Sequence, residues 1–178
     1  MLEIETKIEE VDIEALKSSL ESHGAEFKGR KLLRRWIYYL QSGEGEDRYL
    51  RIRTNGDSAS ITYKRRIGEG LSNTEELETE VKNFDSAVEI FRKVLGEGHY
   101  QENFRSSYIF EGAEITIDEW PKLKPVVEVE AKSEEKIRQV IETLGIKGKE
   151  VGNIGWDRLY ALHGINLRDF NVLKVDEA

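Results

Sequence analysis

Charged side chains alternate with apolar ones in five segments of the sequence, at the two-residue period of a β-strand. Because side chains two apart share a face, each segment predicts a strand with one charged and one apolar face. Acid-rich faces are predicted at Glu3, Glu5 and Lys7, at Glu76, Glu78 and Glu80, and at Glu128, Glu130 and Lys132. Basic faces are predicted at Arg51 and Arg53, and at Thr62, Lys64 and Arg66.

The charges on these faces are segregated by sign, and this segregation has a chemical meaning. Like charges held close together on a sheet repel each other, so a cluster of one sign indicates a ligand of the other sign. Carboxylates bind hard divalent cations, and guanidinium and ammonium groups bind phosphate. Both clusters on one sheet indicate a site for a metal-bound polyphosphate, as in phosphoryl or nucleotidyl transfer. The alternative is an ordinary sheet whose charged face lies in water.

Eight runs with strand-like alternation would carry these faces. They cover residues 2–8, 33–40, 49–53, 60–66, 75–82, 103–110, 114–118 and 126–132. Three helices have start and stop signals, with N-caps at Asp12, Asp85 and Ser133 and stops at Gly24, Gly96 and Gly145. A fourth, weaker helix signal covers about residues 153–163. The order of elements predicts an α+β fold with an antiparallel sheet that can close into a barrel.

The composition restricts the classes of protein to be considered. With 178 residues, the chain has the length of one domain. The 35 acidic residues outnumber the 27 basic ones, and the net charge of -8 disfavours nucleic acid and anionic membranes as partners. The absence of cysteine excludes disulfides, thiolate catalysis and Cys-based zinc sites. No apolar run reaches the ~18–20 residues of a membrane span, and no signal-peptide pattern follows Met1, so we expect a cytoplasmic protein.

The segment Glu3-Ile4-Glu5-Thr6-Lys7 resembles the Glu-x-Glu-x-Lys signature of the CYTH superfamily, the triphosphate tunnel metalloenzymes. Later motifs follow in the same order as in that superfamily. They are Arg35 in an aromatic strand, Leu50-Arg51-Ile52-Arg53, Thr62-Tyr63-Lys64, Glu76-Leu77-Glu78, Gln101-Glu102-Asn103-Phe104-Arg105, Ile117-Asp118-Glu119-Trp120-Pro121 and Val127-Glu128-Val129-Glu130. The stretch from Trp120 to Glu130 is similar to the bacterial class IV adenylyl cyclase-like and thiamine triphosphatase-like branch. The resemblance covers about residues 1–167.

This resemblance implies an eight-stranded antiparallel closed barrel, the triphosphate tunnel, with helices packed outside and charged faces turned inward. We expect one such domain over residues 1–170 and a C-terminal tail at residues 171–178. By position in the motifs, the ligands of a Mg²⁺ or Mn²⁺ ion would be Glu3, Glu5, Glu78, Glu128 and Glu130. The residues that bind substrate phosphate would be Lys7, Arg35, Arg51, Arg53, Lys64 and Arg105. Lys7 and Asp118 would be catalytic.

Two positions depart from the pattern of the superfamily. Asn103 stands where a lysine is common, which removes one phosphate contact. No Asp is evident around Trp36, where the cyclase-like and thiamine triphosphatase branches carry one. This second departure weakens any transfer of their substrate choice to this chain.

Three functions are compatible with these residues. The first is a metal-dependent triphosphatase that releases phosphate from inorganic tripolyphosphate or from an organic or nucleoside triphosphate. The second is a class IV-type adenylyl cyclase that makes cyclic AMP and pyrophosphate from ATP, and the third is a non-catalytic module that binds polyphosphate or triphosphorylated RNA ends. The full set of acidic residues favours catalysis. Hydrolysis is preferred because it needs only water at the terminal phosphate, whereas the sequence reveals no nucleoside pocket. The expected partner is the small-molecule substrate, and a homodimer is compatible with the sequence.

The remaining chemical candidates favour structural roles. Such roles are expected for the three histidines, which lie at helix ends or after a turn: His23, His99 and His163. The aromatic side chains of the second strand are expected to pack outward, with base stacking as the alternative: Trp36, Tyr38 and Tyr39.

Overall fold

The computed structural model describes residues 2–40, 48–66 and 74–176. Its strands are β1 (Leu2–Glu3), β2 (Glu5–Glu9), β3 (Glu26–Tyr39), β4 (Arg48–Thr54), β5 (Ala59–Arg66), β6 (Thr74–Val81), β7 (His99–Phe110), β8 (Ala113–Glu119), β9 (Val126–Glu130), β10 (Lys149–Gly152) and β11 (Val172–Leu173). Its helices are α1 (Ile13–Ser22), α2 (Phe84–Leu95), α3 (Glu134–Leu144) and α4 (Trp156–Leu162), followed by a short 3-10 helix at Leu167–Asp169. The predicted α+β class is confirmed. Over the described ranges, no helix has both the length and the apolar character needed to cross a membrane.

The described strands form one sheet in the order β1-β6-β5-β4-β3-β7-β8-β9-β2-β10, and β11 pairs with β7 beside this path. Neighbours along the path are antiparallel. β1 and β2 are separated in the chain by Ile4 alone, yet β1 pairs with β6 and β2 pairs with β9. β1 therefore begins the strand path and β2 stands next to its last strand, although the two are adjacent in the chain, so the sheet is strongly curled.

The closed barrel of eight strands is not confirmed. The N-terminal run, predicted as one strand, is divided at Ile4, and β10 and β11 are additional members of the described sheet. Neither additional strand has an alternation signal, because β10 has four residues and β11 has two. β3 also begins earlier than predicted, at Glu26, and pairs along most of its length with β7.

The helices begin at or near the predicted capping residues. Asp12 and Ser133 cap α1 and α3, each accepting a hydrogen bond from a backbone N–H three residues later. The predicted N-cap of α2, Asp85, is wrong. Asn83 caps this helix by accepting from the Ser86 N–H, and Asp85 lies in the first turn, where its charge still favours the helix dipole.

The apolar core lies outside the curled sheet, between its outer face and the helices. The largest cluster joins α1 and α3 to β2, β8 and β9 through buried residues such as Ile8, Ile117, Val127 and Val140. A second cluster packs α2 on β3 and β4, and a third holds α4 against Trp120. Each fully buried side chain of this size stabilises the fold by about 1.5–3 kcal/mol. Since side chains alternate across a strand, the charged residues of the same strands point inward.

Candidate functional site

The inner face of the curled sheet lines a cavity of about 570 Å³, within the ~300–1,000 Å³ of small-molecule sites. Its lining includes ten of the residues predicted to form a site: Glu5, Lys7, Arg35, Arg51, Arg53, Lys64, Glu78, Arg105, Glu128 and Glu130. Asp118 is not among the lining residues, and the Glu3 side chain lies outside the described part of the chain. The alternative of a charged face in bulk water does not fit β2, β4 and β9, where Glu5, Arg51 and Glu128 are buried, whereas Glu78 and Glu80 of β6 are exposed.

One side of the cavity, which we call the acidic wall, carries Glu5, Lys7, Glu128 and Glu130 from β2 and β9. Strand register places Glu5 opposite Glu130 and Lys7 opposite Glu128. The Lys7 ammonium, 3% exposed, lies 2.8 Å from Glu5 Oε1 and 2.9 Å from Glu128 Oε2. Burial opposes the charge of Lys7, but Glu128 and Glu5 outweigh it and raise the Lys7 pKa. Lys7 therefore stays charged at neutral pH and holds the two carboxylates together.

Glu130 lies among other carboxylates. It is opposite Glu5 on one neighbouring strand and opposite Glu114 on the other. Burial, followed by the charges of Glu128, Glu5 and Glu114, raises the pKa of Glu130 to about 7. Burial and the neighbouring carboxylates thus both oppose the negative charge of Glu130, and a hard cation would stabilise that charge.

Glu130 also predicts how stability depends on pH when no divalent cation is present. Its folded-state pKa of about 7 lies above the ordinary value of 4.5, so between these values the folded state holds a proton that the unfolded state has released. Stability from this group is full at acidic pH and is lost as the pH rises through the folded-state pKa. We expect Glu130→Gln to melt like the parent protein near pH 5 and at a higher temperature near pH 8, measured by thermal unfolding in a chelator.

The matched control for this comparison is Glu89→Gln. Glu89 lies on the exposed side of α2 and pairs with Arg92 and Lys93 at 3.2 and 3.3 Å, and such surface pairs contribute little. Its melting temperature should follow that of the parent protein at both pH values. Equal melting temperatures for Glu130→Gln and the parent near pH 8 would contradict the crowding of carboxylates on the acidic wall.

The acidic wall carries three of the predicted metal ligands, Glu5, Glu128 and Glu130, but not the fourth described one. Glu78 of β6 accepts a hydrogen bond from Thr62 at 2.6 Å and lies 3.4 Å from Arg51, so its contacts are with the basic side of the cavity. Across the described ranges, no three acidic or histidine side chains stand close enough together to hold a metal ion. In this structure Lys7 occupies the place between Glu5 and Glu128.

Arg105 joins the acidic wall to a fully buried carboxylate. Its Nε and Nη2 donate to the two oxygens of Asp118 at 2.8 and 2.7 Å, and Nη2 lies 3.3 Å from Glu128 Oε1. Burial opposes its charge, but Asp118 and Glu128 raise the pKa of Arg105. Asp118 is 0% exposed. Its catalytic role stays a prediction, because Asp118 is not among the residues that line the cavity and its carboxylate holds the guanidinium of Arg105, which does line it.

The opposite side, which we call the basic wall, carries Arg35, Arg51, Arg53 and Lys64 from β3, β4 and β5. The charge of Arg51, followed by burial and by Arg105, lowers the pKa of Arg53 to about 10. Burial, followed by Arg53, Arg51 and Arg105, lowers the pKa of Arg35 well below its ordinary value. Since guanidinium groups still remain protonated at neutral pH, the basic wall holds crowded positive charge. Such a wall favours an anionic ligand.

Several residues of the cavity were not among the predicted site residues. Glu76 of β6 lies 2.5 Å from Lys64, and it belongs to the same alternating acidic run as Glu78, which could have identified it. Glu114 of β8 also lines the cavity. Trp156 and Asp157 line it from the start of α4. Strand alternation cannot signal this last pair, because only the folded chain brings α4 to the end of the sheet.

The aromatic residues of β3 divide between the two faces. Trp36 and Tyr38 pack outward against α2, as predicted. The outward prediction for Tyr39 is wrong, because alternation puts it on the inner face with Arg35. There it borders a hollow of about 40 Å³ together with Tyr49. That volume has room for a few water molecules and not for a nucleobase.

The histidines make contacts at the ends of elements, in line with structural roles. His23 C-caps α1, His99 Nδ1 lies 3.0 Å from the Phe170 carbonyl oxygen, and His163 Nε2 lies 2.5 Å from Glu9 Oε1. None of the three lines the cavity as far as the structure describes it.

The fold and the site define a class of α+β protein in which a curled antiparallel sheet lines a cavity with opposed acidic and basic walls. The family model of the CYTH domain matches residues 1–151. The chain belongs to the CYTH domain family, as its motifs predict. No curated protein is significantly similar to it in sequence.

Solved structures share this fold at low sequence identity. The PH1012 protein of Pyrococcus horikoshii has a TM-score of 0.65 at 24% identity, and the match covers 82% of this chain and 92% of that one. An adenylate cyclase candidate from Vibrio parahaemolyticus has a TM-score of 0.65 at 15% identity, over 83% and 90% of the two chains. HpAC1, an adenylyl cyclase candidate from Hippeastrum with a dominant triphosphatase activity, has a TM-score of 0.59 at 16% identity, over 91% and 95%.

Proposed function

We propose that the chain is a divalent-metal-dependent phosphohydrolase that releases the terminal phosphate of a triphosphate, either inorganic tripolyphosphate or an organic or nucleoside triphosphate. One observation carries the proposal: the two walls of one cavity are crowded with opposite charges. The pKa values of Arg35 and Arg53 are lowered on the basic wall, and that of Glu130 is raised on the acidic wall. A phosphate chain would neutralise the first wall, and a divalent cation the second.

In this proposal the curled sheet closes around the substrate as a tunnel, with the N-terminal segment as its seam. The charge of Lys64 supports closure, because it reaches both glutamates of β9. It adds to Lys7 and Arg105 in lowering the pKa of Glu128, and it opposes the burial and the neighbouring carboxylates that raise the pKa of Glu130, although β5 and β9 are distant along the strand path. The two walls therefore face each other across the cavity. A ligand between them would touch both.

The substrate phosphates would bind along the basic wall. A guanidinium can form two parallel hydrogen bonds with a phosphate, and the Nε of Arg35 has no hydrogen-bond partner among the described residues. Arg51, Arg53 and Lys64 would bind neighbouring phosphates of the chain. Their charges would also stabilise the negative charge that develops on the phosphoryl oxygens during transfer.

The acidic wall would hold the metal. Its three carboxylates are hard oxygen donors of the kind that Mg²⁺ and Mn²⁺ prefer, and the crowding around Glu130 fits a group that a cation neutralises. When bound, the ion would neutralise phosphate charge and polarise a phosphoryl oxygen. Glu3 of β1 and Glu78 of β6 are proposed as further ligands, and Glu78 would have to leave its contacts with Thr62 and Arg51 to reach the ion.

Lys7 is the proposed catalytic cation of the acidic wall. Its charge is secured by Glu128 and Glu5, which raise its pKa against the effect of burial, so it would donate hydrogen bonds to phosphate oxygens. Hydrolysis then requires only a water molecule in line with the terminal phosphorus. The oxygen–phosphorus bond to water forms, the bond to the rest of the chain breaks, and orthophosphate is released.

Hydrolysis is preferred to cyclisation because it needs only a water molecule in line with the terminal phosphorus, whereas a cyclase must also hold the nucleoside. A cyclase must orient the ribose of ATP, and such positioning contributes several kcal/mol. The hollow beside Tyr39 and Tyr49 is too small for that task, at about 40 Å³. HpAC1, which shares the fold, is described with a dominant triphosphatase activity. The Vibrio protein carries the cyclase designation, so cyclisation is the alternative that an experiment must decide.

Identification of the products from ATP and thiamine triphosphate, each with Mg²⁺ or Mn²⁺, tests the proposed reaction. We expect orthophosphate and the corresponding diphosphate from every substrate that is consumed. Cyclic AMP with pyrophosphate from ATP would replace the hydrolase by a cyclase. Binding of these triphosphates without any product would instead favour a non-catalytic binding module.

A further inference from the structure

Asn103 of β7 is fully buried between two arginines of the cavity, at 0% exposure. Its Oδ1 accepts a hydrogen bond from Arg35 Nη2, and its Nδ2 donates to Asp118 Oδ1 at 2.7 Å. Asp118 in turn binds the Arg105 guanidinium through both of its oxygens. A neutral amide thus connects Arg35 to a carboxylate without forming an ion pair.

The two arginines differ in how far their charge is neutralised. Arg105 has two carboxylate partners, Asp118 at 2.7 Å and Glu128 at 3.3 Å. Arg35 pairs with no carboxylate in the described part of the chain: it contacts the Asn103 amide and lies 4.5 Å from the centre of the Trp120 ring. Both arginines line the cavity. Arg35 therefore lines the cavity with a charge that no described carboxylate pairs with.

Asn103 meets two neighbours with opposite needs, because Arg35 donates a hydrogen bond and the Asp118 oxygen accepts one. An aspartate there would pair with Arg35 and repel Asp118. A lysine would pair with Asp118 and repel Arg35, and an apolar side chain would leave a buried carboxylate oxygen and a guanidinium without these hydrogen bonds. The asparagine amide satisfies both neighbours, because its oxygen accepts and its nitrogen donates.

We propose that Asn103 is a positioning residue for substrate binding. It fixes the Arg35 guanidinium without neutralising it, so that Arg35, and not Arg105, supplies the charge that binds a substrate phosphate. This assignment rests on the proposed function, from which it takes the phosphate chain as the ligand.

Exchanging the two buried side chains tests the assignment. The double variant Asn103→Asp with Asp118→Asn keeps the volume, the net charge and an amide–carboxylate contact, but it moves the carboxylate from Arg105 to Arg35. We expect the dissociation constant for tripolyphosphate, measured by calorimetry with Mg²⁺, to rise by ~10-fold or more, because one charge-assisted contact with phosphate is lost. The melting temperature should stay close to that of the parent protein, and KM should rise with little change in kcat.

A double-mutant cycle between Asn103 and Arg35 tests the same assignment if the variant with the two exchanged side chains does not fold. Asn103→Leu is expected to weaken tripolyphosphate binding in the parent protein and to have no further effect in an Arg35→Gln background. Unchanged affinity in the exchanged protein, or additive losses in the cycle, would overturn the assignment. A parent protein that binds tripolyphosphate without hydrolysing it would overturn the proposed function alone, whereas one that binds no tripolyphosphate would overturn both.

Discussion

Replacing Arg53 with glutamine is expected to weaken tripolyphosphate binding by ~10–150-fold, which corresponds to ~1.5–3 kcal/mol for a charged hydrogen bond, and to affect orthophosphate binding far less. Arg53 is crowded by Arg51, and its nearest described carboxylate, Glu78, is 3.8 Å away. A three-phosphate chain would meet several cations of the basic wall together, whereas orthophosphate can bind the ones that remain. Calorimetric titration of both ligands measures the difference. Arg53→Lys should not restore binding, because an ammonium cannot form the paired hydrogen bonds.

Arg65→Gln is the matched control for this variant. Arg65 lies on the same sheet, but it is absent from the cavity lining and pairs at 3.1 Å with Glu75. Its replacement should leave the binding of both ligands unchanged. Equal losses of tripolyphosphate and orthophosphate affinity in Arg53→Gln would show that Arg53 belongs to a diffuse positive surface and not to a series of phosphate sites.

The second large effect is expected at Lys7. Lys7→Met would leave Glu5 and Glu128 buried without the cation that lies 2.8 and 2.9 Å from them. Removal of one partner from a buried charge cluster costs about 3–5 kcal/mol. For a chain of this size the melting temperature should fall by roughly 6–20 °C. Added Mg²⁺ or Mn²⁺ should restore part of this loss in the variant, because a divalent cation would neutralise the same carboxylates.

Lys17→Met provides the baseline for this comparison. Lys17 and Glu14 form an exposed pair on α1 at 2.9 Å, and such pairs contribute at most about 1 kcal/mol. Its melting temperature should stay near that of the parent protein with and without metal. An unchanged melting temperature for Lys7→Met would contradict the charge cluster. A loss that no divalent cation reduces would contradict the use of Glu5 and Glu128 as metal ligands.

Much of the fold is predictable because strand alternation and helix caps are local properties. The period of two at Glu3 to Lys7 and at Arg51 to Arg53 identifies strands and their charged faces, and Asp12 and Ser133 identify helix starts. The exception at α2 arises because Asn83 and Asp85 are equally suited to capping, so composition alone cannot separate them. β10 and β11 form only through pairing with distant strands. Segments of four and two residues are too short to show a two-residue alternation in the sequence.

The candidate site is predictable to the extent that it depends on which face a residue occupies. Alternation places Lys7 and Arg53 on the inner face, but depth depends on the packing of neighbouring strands. Asp118 therefore shares a strand with cavity residues and yet lies behind Arg105. The contact between Asn103 and Arg35 joins the neighbouring strands β7 and β3, and the two residues are 68 positions apart in the sequence. No spacing in the sequence indicates that contact.

Phosphorus NMR of tripolyphosphate incubated with the protein tests the central claim most directly. The proposed function predicts that orthophosphate and pyrophosphate appear with Mg²⁺ or Mn²⁺ and do not appear in a chelator. It also predicts that Arg53→Gln strongly reduces their formation and that Arg65→Gln does not. Intact tripolyphosphate with both metals, or equal turnover in the Arg53→Gln protein, would contradict hydrolysis of a metal-bound triphosphate in this cavity.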